Sequence, residues 1–163
     1  MKQLQIFILI LLNCFAVKAQ RIMQVHDGDT YKVLLNGKLQ TVRLQNIDAP
    51  ELDQHFGKAA RDSVASQILF HTVQLDSNGR DLYGRLLVNI RIDGMSLDSL
   101  LIANGWAWVY TAYSTNPQLS IYEAAAKQKS LGLWQCTDPV PPWIWRKMNK
   151  HYKRLYEMCR PNP

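Results

Sequence analysis

The stretch that decides the fold is YKVLLNGKLQTVRL, residues 31–44. Apolar residues alternate with other residues around Asn36-Gly37, and this dipeptide is a strong signal for a two-residue β-hairpin turn. In the returning strand, Arg43 shares a face with Leu39 and Thr41, because successive side chains of a strand point to opposite faces. An arginine held among short strand residues, rather than on a loose loop, indicates a specific role.

Patterns on the C-terminal side of this hairpin extend the fold. Apolar periodicity and turn residues predict helices over 57–70, 96–103 and 117–132, strands over 72–75, 86–92 and 106–110, and a turn at 77–79. This order fits a small twisted barrel with helices around it. We therefore predict an α+β chain that is mainly β, with a five-stranded OB-fold barrel and about three flanking helices. Such barrels commonly bind oligonucleotides.

The tail WIWRKMNKHYKRLYEMC, residues 143–159, has the periodicity of an amphipathic helix. Its apolar face would comprise Trp145, Met148, Tyr152, Leu155 and Cys159. Its basic residues fall mainly on the other side: Arg146, Lys147, Lys150 and Lys153. They could grip phosphates in a salt-sensitive way, or form the solvated side of a docking helix. We favour the docking helix.

The first twenty residues, MKQLQIFILILLNCFAVKAQ, read as a signal peptide cleaved before Gln20. Their apolar run is shorter than the roughly 20 residues of a membrane span. An uncleaved anchor and a lipoprotein attached at Cys14 are the alternatives. The expected organisation is a signal peptide at 1–19, an OB-fold domain at 20–135 and a helical extension at 136–163. The mature protein is expected to be secreted or periplasmic, monomeric and without stable membrane association.

Composition bounds the function loosely. The chain has 163 residues, enough for one domain with its own core, and a 47% hydrophobic content excludes a disordered protein. Its net charge of +6 fits a polyanionic partner but does not identify one. Signal cleavage leaves Cys136 and Cys159, which could form a disulfide in an oxidising compartment or stay as free thiols. Two thiols alone make an incomplete metal site.

Three short clusters carry the candidate chemistry: VHDGDT at 25–30, RLQNIDAPE at 43–51 and DLYGR at 81–85. Each has a simpler interpretation by itself, as a turn, as the start of a helix, or as a turn into a strand. The first is not an EF-hand loop, because Lys38 stands where that loop needs a bidentate carboxylate. The combination of the three, in this order, is what points to function.

Together the clusters supply what phosphodiester hydrolysis needs. Carboxylate and carbonyl oxygens can hold a hard cation that neutralises charge on the phosphate. Two arginines can each offer a fork of donors to phosphate oxygens. A further carboxylate can position or deprotonate the attacking water.

The three clusters resemble those of the staphylococcal nuclease family, from about Val25 to Trp134. The resemblance implies an OB-type barrel with three helices and calcium-dependent hydrolysis of DNA and also RNA, leaving 3′-phosphate ends. It also implies a role for each matching residue. Asp29, Asp48 and the Ala49 carbonyl would bind Ca2+, Glu51 would act on the water, and Arg43 and Arg85 would bind phosphate. Asp27 and Thr30 would support the metal site, and Tyr83 and Tyr113 are candidates for contact with the substrate.

The sequence also departs from the family pattern. Leu82 stands where the best-known member has a lysine, Thr111 aligns roughly with a tyrosine near the nucleotide, and residues 52–58 make a short loop. These departures bear on affinity and product pattern. Two other functional classes stay open, a non-catalytic binding module and an envelope adhesion protein. Both predict binding without turnover.

Overall fold

The computed structural model describes residues 20–156, so the predicted signal peptide and Cys159 lie outside the described residues. The strands are β1 (Gln20–Val25), β2 (Thr30–Leu35), β3 (Lys38–Leu44), β4 (Ile47–Asp48), β5 (Thr72–Arg80), β6 (Leu86–Ile92), β7 (Met95–Ser96) and β8 (Trp108–Val109). The helices are α1 (Gly57–Ile68), α2 (Leu97–Ala103), α3 (Pro117–Gln128), α4 (Pro142–Trp145) and α5 (Lys150–Leu155), with a 3-10 turn at Gly132–Gln135.

The hairpin of β2 and β3 forms as predicted. Strands β2 and β3 pair from Thr30 opposite Arg43 to Leu35 opposite Lys38. Asn36 and Gly37 both have positive φ, 50° and 78°, which is the backbone of a type I′ turn. This turn matches the twist of the strands, so it sets the register that places Arg43 beside Thr30.

Five strands close into a barrel. Their order is β3-β2-β1-β5-β6, and a parallel pairing between β3 and β6 closes the ring, with Arg43 opposite Leu87. The interior is filled by fully buried residues such as Ile22, Tyr31, Val33, Val42, Val88 and Ile90. Helix α1 turns Ala60, Val64 and Ile68 inward, at the predicted spacing. The α+β OB-type prediction is confirmed.

Several element boundaries differ from the sequence predictions. The turn predicted at 77–79 is wrong, because these residues continue β5. The strand pairs with β6 at Ser77 and again at Arg80, and the bulge between them includes Gly79, whose φ is +87°. The helix predicted over 117–132 ends at Gln128, and the strand predicted over 106–110 is reduced to β8.

The tail was predicted as one helix and is two short ones. The chain leaves helical geometry after α4 and restarts at α5, where the Asn149 side chain accepts a hydrogen bond from the Tyr152 N–H and caps the helix. Trp145 is buried as expected, whereas Tyr152 and Leu155 are exposed. No helix within residues 20–156 is long and apolar enough to cross a membrane.

Candidate active site

Two buried aspartates lie at the centre of the site. Asp29 immediately precedes β2 and Asp48 ends β4, and their side chains are only 1% and 0% exposed. The main chain connects their surroundings, because the Leu44 N–H donates to the Asp29 carbonyl oxygen (3.0 Å) and the Ala49 N–H donates to Asp29 Oδ2 (2.6 Å). The barrel therefore brings together two carboxylates that are nineteen positions apart in the sequence.

The loop carrying Asp29 is held by its neighbours. Asp27 Oδ1 accepts hydrogen bonds from the N–H groups of Asp29 (3.0 Å) and Thr30 (2.7 Å), which fixes the turn. The buried Tyr31 hydroxyl donates to the Gly28 carbonyl oxygen (2.7 Å), and burial raises the pKa of this phenol well above its usual value. In the structure Asp27 contacts the main chain of this loop, and its support of a metal site stays a prediction.

Gly28 explains how closely the two aspartate segments approach. A Cβ added at this position would lie 2.6 Å from the Ala49 Cβ, closer than such atoms come in proteins. A side chain at 28 would therefore push the Asp29 loop away from the segment that carries Asp48.

Arg43 bridges the two aspartates. Its Nη1 forms an ion pair with Asp29 Oδ1, and its Nη2 donates to Asp48 Oδ1 (2.6 Å). The β2–β3 register delivers the guanidinium to this point, and the side chain is largely buried. Burying two carboxylates side by side is costly without positive charge between them, and Arg43 supplies it.

Arg85 reaches the same region from the turn before β6. Asp81 accepts hydrogen bonds from both the Arg85 Nε (2.7 Å) and the Arg85 main-chain N–H (3.0 Å). Arg85 Nη1 lies 3.4 Å from Thr30 Oγ1, which in turn donates to Asp29 Oδ1 (3.1 Å). Burial alone would raise the pKa of Asp81, but its hydrogen bonds with Arg85 outweigh burial and lower it.

Glu51 lies on the loop between β4 and α1, called here the Glu51 loop (residues 49–56). This segment is not the start of a helix, since α1 begins only at Gly57. The Glu51 side chain is 36% exposed, and its Oε1 pairs with Arg146 Nη1 at 2.7 Å. Arg146 also donates to Asp48, with Nη2 2.8 Å from Oδ2 and Nη1 3.2 Å from Oδ1. The hydrogen bond to Asp48 raises the pKa of Arg146 more than burial lowers it.

The remaining predicted site residues lie at the edges of this arrangement. Ala49 contributes its N–H to Asp29, as described above. Tyr83 is exposed, with the Arg85 guanidinium 5.4 Å from its ring centre, and Tyr113 is exposed beside Tyr110, with ring centres 4.8 Å apart. Cys136 takes part in a disulfide bond, and Cys159, its predicted partner, lies outside the described residues.

Sequence patterns did not assign to the site two residues that the structure places there, Asp81 and Arg146. Asp81 falls inside the DLYGR cluster, and its position four residues before Arg85 is a spacing at which opposite charges often pair. Arg146 was placed on the basic side of the tail. Its contact with Asp48 spans 98 positions, and no local pattern signals it.

The donor set fits a hard divalent cation. Within residues 20–156, no group of three or more His, Cys, Asp and Glu side chains is placed to hold a metal. Of the predicted ligands, the structure brings the Asp29 and Asp48 carboxylates together. Both carboxylates are buried and share one guanidinium, which shows that they converge and require positive charge. Oxygen ligands of this kind suit Ca2+.

Comparison with known proteins agrees with this geometry. The model of the staphylococcal nuclease homologue family matches residues 41–136. An "uncharacterized endonuclease" of Escherichia coli is 42% identical over 127 residues, covering 77% of this chain and 83% of its own. A "micrococcal nuclease" of Shigella flexneri is 34% identical over 141 residues, covering 80% and 81%. Because the family match spans more than half of the chain and these relatives align over most of their length, the chain belongs to the staphylococcal nuclease family and is a nuclease.

Proposed function

We propose that the chain is an exported, calcium-dependent nuclease that hydrolyses DNA and RNA by attack of water and leaves 3′-phosphate ends. The observation that carries the proposal is the convergence of two buried aspartates, Arg43, Arg85 and the half-exposed Glu51 on one surface of the barrel. The two aspartates suit a cation, the two arginines suit a phosphate, and Glu51 can reach water.

The proposal gives a role to each of the main predicted site residues. Asp29, Asp48 and the Ala49 carbonyl would hold the calcium ion, which supplies positive charge to the phosphate oxygens when bound. Arg43 and Arg85 donate to the same phosphate as negative charge builds on it. Glu51 accepts the proton of the attacking water or orients that water.

Export is supported by the predicted signal peptide and by the disulfide at Cys136. Disulfide bonds persist mainly in oxidising compartments such as the periplasm and the medium. The positive net charge of +6 agrees with a polyanionic substrate.

The test is digestion of single-stranded DNA, and in parallel of RNA, by protein that begins at Gln20. Cleavage with Ca2+ that stops on addition of a chelator, with 3′-phosphate termini identified by mass spectrometry, is the expected result. Binding of DNA without cleavage by folded protein would contradict the proposal and favour a binding module.

A further inference from the structure

Arg146 contributes a third guanidinium to a site for which two were expected. Its Nη2 lies 2.8 Å from Asp48 Oδ2 and its Nη1 lies 2.7 Å from Glu51 Oε1. It thus contacts both the aspartate assigned to the cation and the glutamate assigned to the water. Although 43% of its side chain is exposed, its donors point into the site rather than to solvent.

The position of Arg146 is set by the packing of α4. Trp145, its neighbour, is buried and donates from Nε1 to Asp53 Oδ1 (3.0 Å). Gln54 Nε2 donates to the Val140 carbonyl oxygen, and Lys153 pairs with Asp53 (3.0 Å). These contacts fasten the described part of the C-terminal extension, residues 136–156, to the Glu51 loop, so the guanidinium is delivered to the site by a docked element.

Arg43 and Arg146 both contact the Asp48 carboxylate. Arg43 holds Oδ1 at 2.6 Å and Arg146 holds Oδ2 at 2.8 Å, so the two guanidiniums flank one carboxylate. A cation held by Asp48 would compete with both guanidiniums for the carboxylate oxygens. Donors released by this competition would lie beside the cation, where a phosphodiester is the anion that can enter.

We propose that Arg146 is a third phosphate-binding arginine of this nuclease, supplied by the C-terminal extension, which contacts non-bridging oxygens of the scissile phosphate. The proposal rests on the proposed function. A planar guanidinium can make two parallel hydrogen bonds to phosphate, which a lysine ammonium cannot. Arg146 therefore contributes a positive charge and a planar pair of hydrogen-bond donors.

The test measures binding separately from turnover. Fluorescein-labelled single-stranded DNA is titrated with the Glu51→Gln protein in Ca2+, and anisotropy gives Kd, since this protein is expected to bind with little cutting. Adding Arg146→Ala should weaken binding about 10- to 100-fold, the loss expected for one charge-assisted contact. Arg146→Lys should recover only part of this loss. Lys147→Ala, which removes an equal charge from the adjacent exposed position, is the matched control and should change Kd less than about threefold.

Calcium titration by calorimetry and steady-state cleavage, both with Glu51 intact, complete the experiment. Arg146→Ala should lower kcat/KM while the protein stays folded at the temperature of the assay. Unchanged DNA binding, or tighter calcium binding with faster cleavage, would overturn the proposal, the latter showing that Arg146 holds the site closed. An equal loss of binding in Lys147→Ala would also overturn the proposal, since charge alone would then suffice.

If the unaltered protein cleaves with Ca2+ and Arg146→Ala binds and cleaves equally well, only this inference fails. If the unaltered protein neither binds nor cleaves, the proposed function fails as well.

Discussion

Glu51 differs from the aspartates of the site in its contact with solvent. Its side chain is 36% exposed, whereas those of Asp29 and Asp48 are 1% and 0% exposed. A buried carboxylate pair suits the retention of a cation, because its charge must be compensated locally. A carboxylate at the surface of the site can exchange protons with water, which is what a general base requires.

Replacing Glu51 with Gln should therefore separate cleavage from the other properties. We expect the variant to fold and to bind calcium, while kcat falls about 10²- to 10⁴-fold, the usual contribution of a general base. Single-turnover cleavage of DNA at saturating Ca2+ measures the change. Asp62→Asn, which alters an exposed carboxylate of α1 that pairs with Arg61, is the control. Activity near that of the unaltered protein would remove Glu51 from the mechanism.

Asp98, in the first turn of α2, is a buried carboxylate outside the site. Its side chain accepts a hydrogen bond from Asn46 Nδ2 (2.7 Å) at Oδ2, while Oδ1 has no partner among the described residues. Burial raises the pKa of Asp98 to about 6, although the Asn46 hydrogen bond opposes this. The folded protein therefore binds this proton more tightly than the unfolded chain does, and the stability that it contributes is lost as pH rises from about 4 through 6.

The Asp98→Asn protein should lack the fall in stability that ionisation of Asp98 causes as pH rises. We expect it to be more stable than the unaltered protein by about 2 kcal/mol at pH 7, with little difference at pH 4. Urea unfolding at several pH values measures both. Asp76→Asn, at an exposed position of β5, is the matched control. Parallel stability curves for Asp98→Asn and the unaltered protein would contradict the assignment.

Between β1 and β2, the loop of residues 26–29 depends on a close approach rather than on special dihedral angles. Gly28 does not have a positive φ, but a Cβ there would overlap the Ala49 Cβ. We expect Gly28→Ala to cost about 1–3 kcal/mol of stability, the range for overpacking, and to weaken calcium binding by moving Asp29. In an Ala49→Gly background the colliding atom is gone, so the same substitution should cost much less. Urea unfolding of the four proteins of this cycle measures the coupling, and additive effects would contradict the contact.

Helix α4 is short, and its docking depends on Trp145. This side chain is 1% exposed, whereas Ile144 beside it is exposed. Trp145→Ala should cost about 3–5 kcal/mol and Ile144→Ala little, as expected for a buried aromatic and a surface residue. Equal and small effects of both substitutions on urea unfolding would show that the C-terminal extension is not docked in solution.

Element prediction succeeded where the signal is local. Asn36-Gly37 predicts its turn because both positions favour positive φ, and Ala60, Val64 and Ile68 predict a buried helix face by spacing alone. The sequence Ser-Asn-Gly at 77–79 has turn chemistry, but pairing with β6 converts it into a bulge within β5. The tail was misjudged for the opposite reason: its periodicity continues across a break that Asn149 caps.

At the scale of the whole molecule, the candidate site was predictable only in part. Resemblance to a family identifies residues that its members share, and the structure brings Asp29, Asp48, Arg43 and Arg85 together. Arg146 contacts Glu51 across 95 positions and lies beyond the residues that the family model matches. Such a contact depends on how the C-terminal extension packs, which neither periodicity nor a motif determines.

The docking of the C-terminal extension has a consequence for the order in which the protein matures. Arg146 is translated after every strand of the barrel, so the ribosome completes the core before it adds the third guanidinium. Cleavage by a protease between Cys136 and Arg146 would likewise cut the main chain that delivers this group while leaving the barrel strands whole. Maturation and proteolysis therefore both act on the site through a segment that supplies no barrel strand within its described residues.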